Sequence, residues 1–177
     1  MQVRLVMPIH LYGGALLPGQ DLGNRIGAVT LSVDASGDSA VASLSRAREA
    51  LAMVKETPAA IVSHLVAKVV SLPVVPTFLA RCAMERGTCG ATFAVSNVRG
   101  PPKYLHVAGR RVERVCGFVP PPPGVPIGVV VGSYGGKVTI TVNADARCVE
   151  DGEKFLGWVL EEVRALAEEQ KLLKKGV

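Results

Sequence analysis

Residues 127–134 and 137–144 are two apolar, β-branched runs separated only by Gly135-Gly136. A two-residue glycine link supplies the positive φ angles of a tight primed turn, so these runs are the strongest hairpin signal in the chain. A sheet must hold this pair, and the other apolar segments have to find places around it. Residues 3–9 alternate and read as one strand; residues 26–33 read as another, long enough to be central. Residues 91–95 make a short strand after the turn glycines Gly87 and Gly90. Residues 104–107 and 110–118 form a hairpin-like pair around Ala108-Gly109, and Pro120 to Pro123 are a stiff extended connector between strands.

The intervening stretch has helical spacing. Val41, Leu44, Ala47, Leu51 and Val54 recur at three- and four-residue steps, with Arg46, Arg48, Glu49 and Lys55 opposite. Thr57-Pro58 restarts the helix, Thr57 as its cap and Pro58 at its first position, and Pro73 ends it. A short third helix covers residues 76–86. The chain closes on an amphipathic helix over residues 149–173, with Leu156, Val159, Leu160, Val163 and Leu166 inward. The order β-β-α-α-α-β-β-β-β-β-α predicts an α+β fold: helices packed on a mixed, largely antiparallel sheet, with all 177 residues in a single domain.

Composition narrows the function classes. Hydrophobic residues make up 49% of the chain and aromatics 5%, so the core is to be built from Val and Ala. The net charge of +5 is modest, and basic residues concentrate between Arg99 and Arg114, with Lys103, Arg110 and Arg111 against Glu113. Without stacking aromatics or a known module, this reads as a solvated or membrane-facing loop with weak attraction to anionic headgroups, not as a nucleic-acid face. Cys82, Cys89, Cys116 and Cys148 show no C-x-x-C pair and no histidine at ligand spacing, which argues against zinc. Reduced thiols and the lack of an apolar leader at residues 1–5 point to the cytosol, or to the cytosolic side of a membrane. The most apolar region, residues 59–83, is interrupted by His64, Lys68, Pro73, Pro76 and Arg81, and reads as a buried or interfacial helix.

Candidates for chemistry are few. His10, His64 and His106 have no acidic or thiol partner in sequence and read as structural. Cys89, beside glycines, is the best placed thiol for exposure, but nothing nearby would activate it. Gly13-Gly14 and Gly135-Gly136 lack the spacing of a phosphate-cradling loop. No catalytic residue and no metal ligand is assigned. Asn24-Arg25 ahead of a buried strand and Ser96-Asn97 at the end of another fit either turn capping or a ligand-facing sheet edge.

The stretch Ser96-Asn97-Val98-Arg99-Gly100-Pro101 resembles the Ser-Asn-Val-Pro-Gly-Pro element of the bacterial and plant wax ester synthase/diacylglycerol acyltransferase family, with Arg99 in place of proline. Leu22-Gly23-Asn24-Arg25 is similar to its Leu-Gly-Asn-Arg element, and Leu105 to Val112 to its Leu-x-x-Ala-Gly-x-x-Val. Residues 127–134, Gly136 and Asp145 follow its late strand, Ser-Tyr-x-Gly, strand, x-x-Asp pattern. Its His-His-x-x-x-Asp-Gly motif occurs nowhere in the chain.

The resemblance implies the C-terminal half of an enzyme with two chloramphenicol-acetyltransferase-like subdomains and a tunnel between them. The missing N-terminal half would be its partner and supply the histidine base. Acyl-CoA, as a substrate and not a cofactor, would donate a fatty acyl group to a long-chain alcohol or diacylglycerol. Asn24, Arg25, Ser96, Asn97, Gly100 and Pro101 carry the matching motifs and are expected to shape that tunnel, while the Arg99 exchange is expected to loosen the turn. The resemblance also admits peripheral attachment to a membrane or lipid droplet. Alone, the chain is expected not to turn over. The rival expectations are a non-catalytic acyl-CoA-binding or scaffold module of the same fold, and a self-sufficient enzyme using His106 or Cys89.

Overall fold

The computed structural model describes residues 2–11, 25–36 and 39–175. Its elements follow the order read from the sequence: β1 (Gln2–His10), β2 (Ile26–Asp34), α1 (Ala40–Lys55), α2 (Ala59–Val70), α3 (Thr77–Gly87), β3 (Phe93–Arg99), β4 (His106–Val107), β5 (Arg110–Arg111), β6 (Ile127–Tyr134), β7 (Lys137–Ala144) and α4 (Gly152–Lys175). Five strands form one sheet in the order β2-β1-β3-β6-β7, and β4-β5 is a separate two-stranded ribbon. The outer pairs are antiparallel and the two inner pairs parallel, so the sheet is mixed. Connection length decides this. β7 follows β6 through a two-residue turn and must run back, whereas β3 and β6 arrive by long crossovers that allow parallel entry.

Strand alternation gives the sheet two differently covered faces. α1 and α2 pack on β2, α4 on β7 and α1, and Phe155 of α4 stacks on Phe93 with ring centroids 6.3 Å apart. On the other face, residues 112–126 cross the strands as an extended cover. The Thr141 hydroxyl donates to the Gly117 carbonyl, the Thr88 hydroxyl to that of Pro123, and Val125 packs with Val6, Ala91 and Ala94. A proline-rich segment suits this task, because it lies extended without N–H groups that need a ladder partner.

The interior is thin. Among the described residues the buried hydrophobic ones are Val6, Val29, Leu31, Ala91, Ala94, Val125, Ile127, Val130 and Tyr134, and none lies on α1, α2 or α3. The accessible surface is 13015 Å², where a compact monomer of this mass exposes about 8,200 Å². Residues 59–83 are accordingly not buried: Ile61, Val62, Leu65, Val69 and Phe78 each expose half or more of their surface. Of the residues expected to face inward from α4, Val163 is 49% exposed.

Ser39 caps α1 by accepting from the Ala42 N–H. Two local expectations change for physical reasons. The Thr57 hydroxyl turns back to the Val54 carbonyl and caps nothing in α2. The strand expected over residues 110–118 stops at Arg111, because the chain then leaves to cross the sheet and Gly117 and the prolines offer no ladder to continue.

Candidate functional site at the parting of the sheet

β1 and β3 are neighbours, yet they pair only at Leu5↔Phe93 and Val6↔Ala94. Beyond those rungs β1 stays with β2 as far as His10, and β3 stays with β6 as far as Arg99. The sheet therefore opens into a notch between residues 7–10 and 95–99. Pro8, which has no N–H to donate, sits in the stretch where pairing has ceased. β1 and β3 are parallel, so the notch lies at their C-terminal ends, the place where open sheets with parallel strands hold ligands.

Ser96 and Asn97 form one lip. They lie within β3 and not after it, since the strand runs on to Arg99 instead of stopping at Val95; Ser96 is half-buried and Asn97 exposed. Arg25 marks the far side, where its carbonyl accepts the Leu11 N–H at 3.0 Å just ahead of β2. Arg25 and Asn97 thus share one end of the sheet, with β1 between them. Asn24 lies outside the described residues.

Gly100 and Pro101 have another task. The Gly100 N–H donates to the Ser133 carbonyl at 2.9 Å, and a Cβ at this position would sit 2.2 Å from that oxygen, so only glycine fits. The Gly135 N–H donates to the Pro101 carbonyl at 3.1 Å. Together these bonds stitch the end of β3 to the β6–β7 turn and hold Ser96 and Asn97 at the rim. Arg99 pairs in register with Ser133, so the exchange expected to loosen the turn leaves the ladder intact and adds an exposed cation.

A tyrosine pair extends the rim. The buried Tyr134 hydroxyl donates to the Val112 carbonyl and accepts the Leu105 N–H, both at 2.9 Å. Tyr104 meets Tyr134 edge-on at 5.7 Å, and its ring lies where a Cβ on Gly135 (φ +56) would need to be, 2.7 Å away. Arg111 sits 4.8 Å over the Tyr104 ring and grips both oxygens of Glu113 at 2.7 and 3.0 Å. That hydrogen-bonded pair holds the Glu113 carboxyl below its ordinary range and raises the Arg111 guanidinium. The β4–β5 ribbon is thereby fixed to the sheet. Residue-by-residue reading missed this clamp; its only signal was two of the chain's three tyrosines flanking the ribbon and the glycine turn.

Acid–base machinery is sparse here. Among the described residues no side chain of Asp, Glu, His, Lys, Arg or Cys is buried, and no three His, Cys, Asp or Glu converge as metal ligands. His64 spends its Nδ1–H on the Ile26 carbonyl at 3.0 Å, tying α2 to β2, and His106 is exposed on β4. Cys89 is exposed in a turn whose carbonyl accepts from the Arg4 guanidinium at 2.9 Å. No described helix is long and apolar enough to cross a membrane by itself.

Comparison with known proteins places this geometry. The wax ester synthase/diacylglycerol acyltransferase from Marinobacter aquaeolei VT8 is similar in structure, with a TM-score of 0.55 and 16% identity over 81% of this chain. At that identity the likeness concerns the fold, and this chain spans 35% of the length of that one. No curated protein matches in sequence. The family model for the WS/DGAT C-terminal domain matches residues 22–167, which include the β3 lip of the notch, the Ser96–Pro101 stitch and the tyrosine clamp but not β1. By that match, the chain belongs to the WS/DGAT C-terminal domain family.

Proposed function

We propose that this chain is the C-terminal half of an acyl-CoA-dependent O-acyltransferase, and that it walls the substrate channel without handling the proton. The family match over residues 22–167 carries the reading. In it, Arg25, Ser96 and Asn97 line the acyl channel at the notch, Gly100 and Pro101 set its rim, and Asn24 is assigned to the channel by its Leu-Gly-Asn-Arg motif alone. A partner half bearing His-His-x-x-x-Asp-Gly takes the proton from the hydroxyl of a long-chain alcohol or diacylglycerol. The oxygen attacks the thioester carbonyl, the C–S bond breaks and CoA leaves as the thiol. Base assistance of this kind contributes about two to four powers of ten in rate. The exposed apolar helices then meet the partner half or the cytosolic side of a membrane.

The test joins the chain to a base-bearing half and follows CoA release from palmitoyl-CoA with hexadecanol or dioleoylglycerol as acceptor. The joined protein should turn over and the chain alone should not. Turnover by the chain alone sinks the reading. Tight palmitoyl-CoA binding by a folded joined protein that transfers nothing favours the acyl-CoA-binding module instead.

A further inference from the structure

The charge of this chain is not spread over it. Between Arg99 and Lys137 there are six basic residues and one acid, a surplus of five; the other fourteen basic residues are balanced by fourteen acids. The whole formal net charge of +5 therefore resides in this one stretch. Its only acid, Glu113, is occupied by Arg111. Arg99, Lys103, Arg110 and Arg114 are exposed, and their side chains make no hydrogen bond or ion pair among the described residues.

The backbone that carries these cations is held in place. Arg99 ends β3, Lys137 begins β7 opposite Tyr134, and the ribbon carrying Arg110 and Arg111 is pinned by the Tyr134 hydroxyl and the Tyr104 ring. A groove of about 500 Å³ runs between Glu113, Arg114 and Val115 on one side and residues 137–140 on the other, with Tyr134 in its lining. All of this lies at the C-terminal ends of the parallel strands β3 and β6, beside the notch. Unneutralised arginines carried on one pinned stretch of backbone are suited to clustered phosphates, which accept paired N–H bonds from guanidinium groups.

We propose that the β4–β5 ribbon and the Arg114–Lys137 groove bind the phosphates of coenzyme A, its diphosphate and 3′-phosphate, so that the thioester end of the donor points to the notch at Ser96 and Asn97. This rests on the acyltransferase reading above. Anionic lipid headgroups offer the same phosphate chemistry, and Leu105 and Val107 on the ribbon are exposed; the groove and the neighbouring notch favour the soluble donor.

Binding of coenzyme A, dephospho-coenzyme A and S-palmitoyl-pantetheine to the 177-residue chain is measured by calorimetry. Coenzyme A should bind more tightly than the dephospho form and weaken as salt rises, and the double change Arg110→Ala, Arg114→Ala should cost about tenfold or more in its affinity. Arg81→Ala with Arg86→Ala, on α3, should change nothing. Circular dichroism shows whether each variant is folded, and Lys103→Glu provides a second, ribbon-sparing test of the same loss. In the joined enzyme, the double change should raise KM for palmitoyl-CoA, leave kcat and the acceptor KM alone, and spare transfer from S-palmitoyl-pantetheine. Unchanged coenzyme A affinity in the folded variants overturns the proposal. So does loss of binding to phosphatidylserine vesicles with coenzyme A binding intact, which assigns the ribbon to a lipid surface. If the joined protein transfers no acyl group, the enzyme reading falls, while coenzyme A binding by the chain still decides the ribbon.

Discussion

The two flanks of this molecule treat apolar residues in opposite ways. At the β6–β7 side, Ile127, Val130 and Tyr134 are buried, the tyrosine hydroxyl has both a donor and an acceptor, and a second ring covers the glycine turn. Across the sheet, α1, α2 and α3 contain no buried residue, although α2 reads Ala-Ala-Ile-Val-Ser-His-Leu-Val-Ala-Lys-Val-Val. The first flank closes on itself. The second is joined to β2 by polar side chains of α2 reaching its main chain: the Ser63 hydroxyl takes the Ala28 N–H at 2.7 Å and His64 donates to the Ile26 carbonyl. A contiguous exposed apolar face of this kind marks a surface built to meet another one.

The contrast can be broken at two glycines. A Cβ on Gly27 would lie 2.0 Å from the Ala60 carbonyl oxygen, and one on Gly100 2.2 Å from that of Ser133. Gly27→Ala and Gly100→Ala should each cost about 3 kcal/mol in urea unfolding, since backbone must move in both. Amide exchange should separate them, with α2 released in the first and the ribbon in the second. Exchange confined to the same residues in both variants would mean that the flanks are not independent.

Smaller changes sharpen the picture. Tyr134→Phe removes both bonds of the clamp and should cost about 1–2 kcal/mol, with faster proteolysis between Lys103 and Arg114; a wild-type cleavage rate would show that ring packing alone holds the ribbon. The Asp145 carboxylate, which accepts from the Arg147 guanidinium and from its N–H, has its pKa lowered from 3.8 to about 2. A depressed folded value contributes stability above the unfolded value and loses it as pH falls through the folded one. Wild type should therefore lose thermal stability between about pH 4 and pH 2 more steeply than Asp145→Asn. Equal slopes would leave the Asp145–Arg147 pair with no part in joining β7 to α4. Least of all should Leu65→Gln matter to folding: at 55% exposure it should shift unfolding by no more than about 0.5 kcal/mol. It should, however, reduce dye binding by exposed apolar surface and weaken association with a base-bearing half. A large loss of stability would instead place Leu65 inside a core of this chain.

The element order was legible because periodicity reports which residues pair with which solvent. The three- and four-residue spacing of Val41, Leu44, Ala47, Leu51 and Val54 places all five half-buried along α1. Depth of burial was less legible, since the same spacing in α2 and α4 describes a face but not whether this chain supplies anything to cover it. The length of β3 was hidden because Ser96 and Asn97 read as turn residues, while the parallel neighbour β6 keeps them in a ladder to Arg99. The long second arm of the ribbon failed for the opposite reason: β-branched residues at Val112 and Val115 found no partner strand. Nothing in the residues of β1 and β3 says that they meet at two rungs only; Pro8 is the one local hint.

Those two rungs have a mechanical meaning. They join a ladder of β1 and β2 to a ladder of β3, β6 and β7, each internally continuous over most of its length. With the Thr92 N–H donating to the Arg4 carbonyl at 2.9 Å, all main-chain bonding between the two ladders sits at one end of β1 and β3, and the other end is tied only through what packs across it.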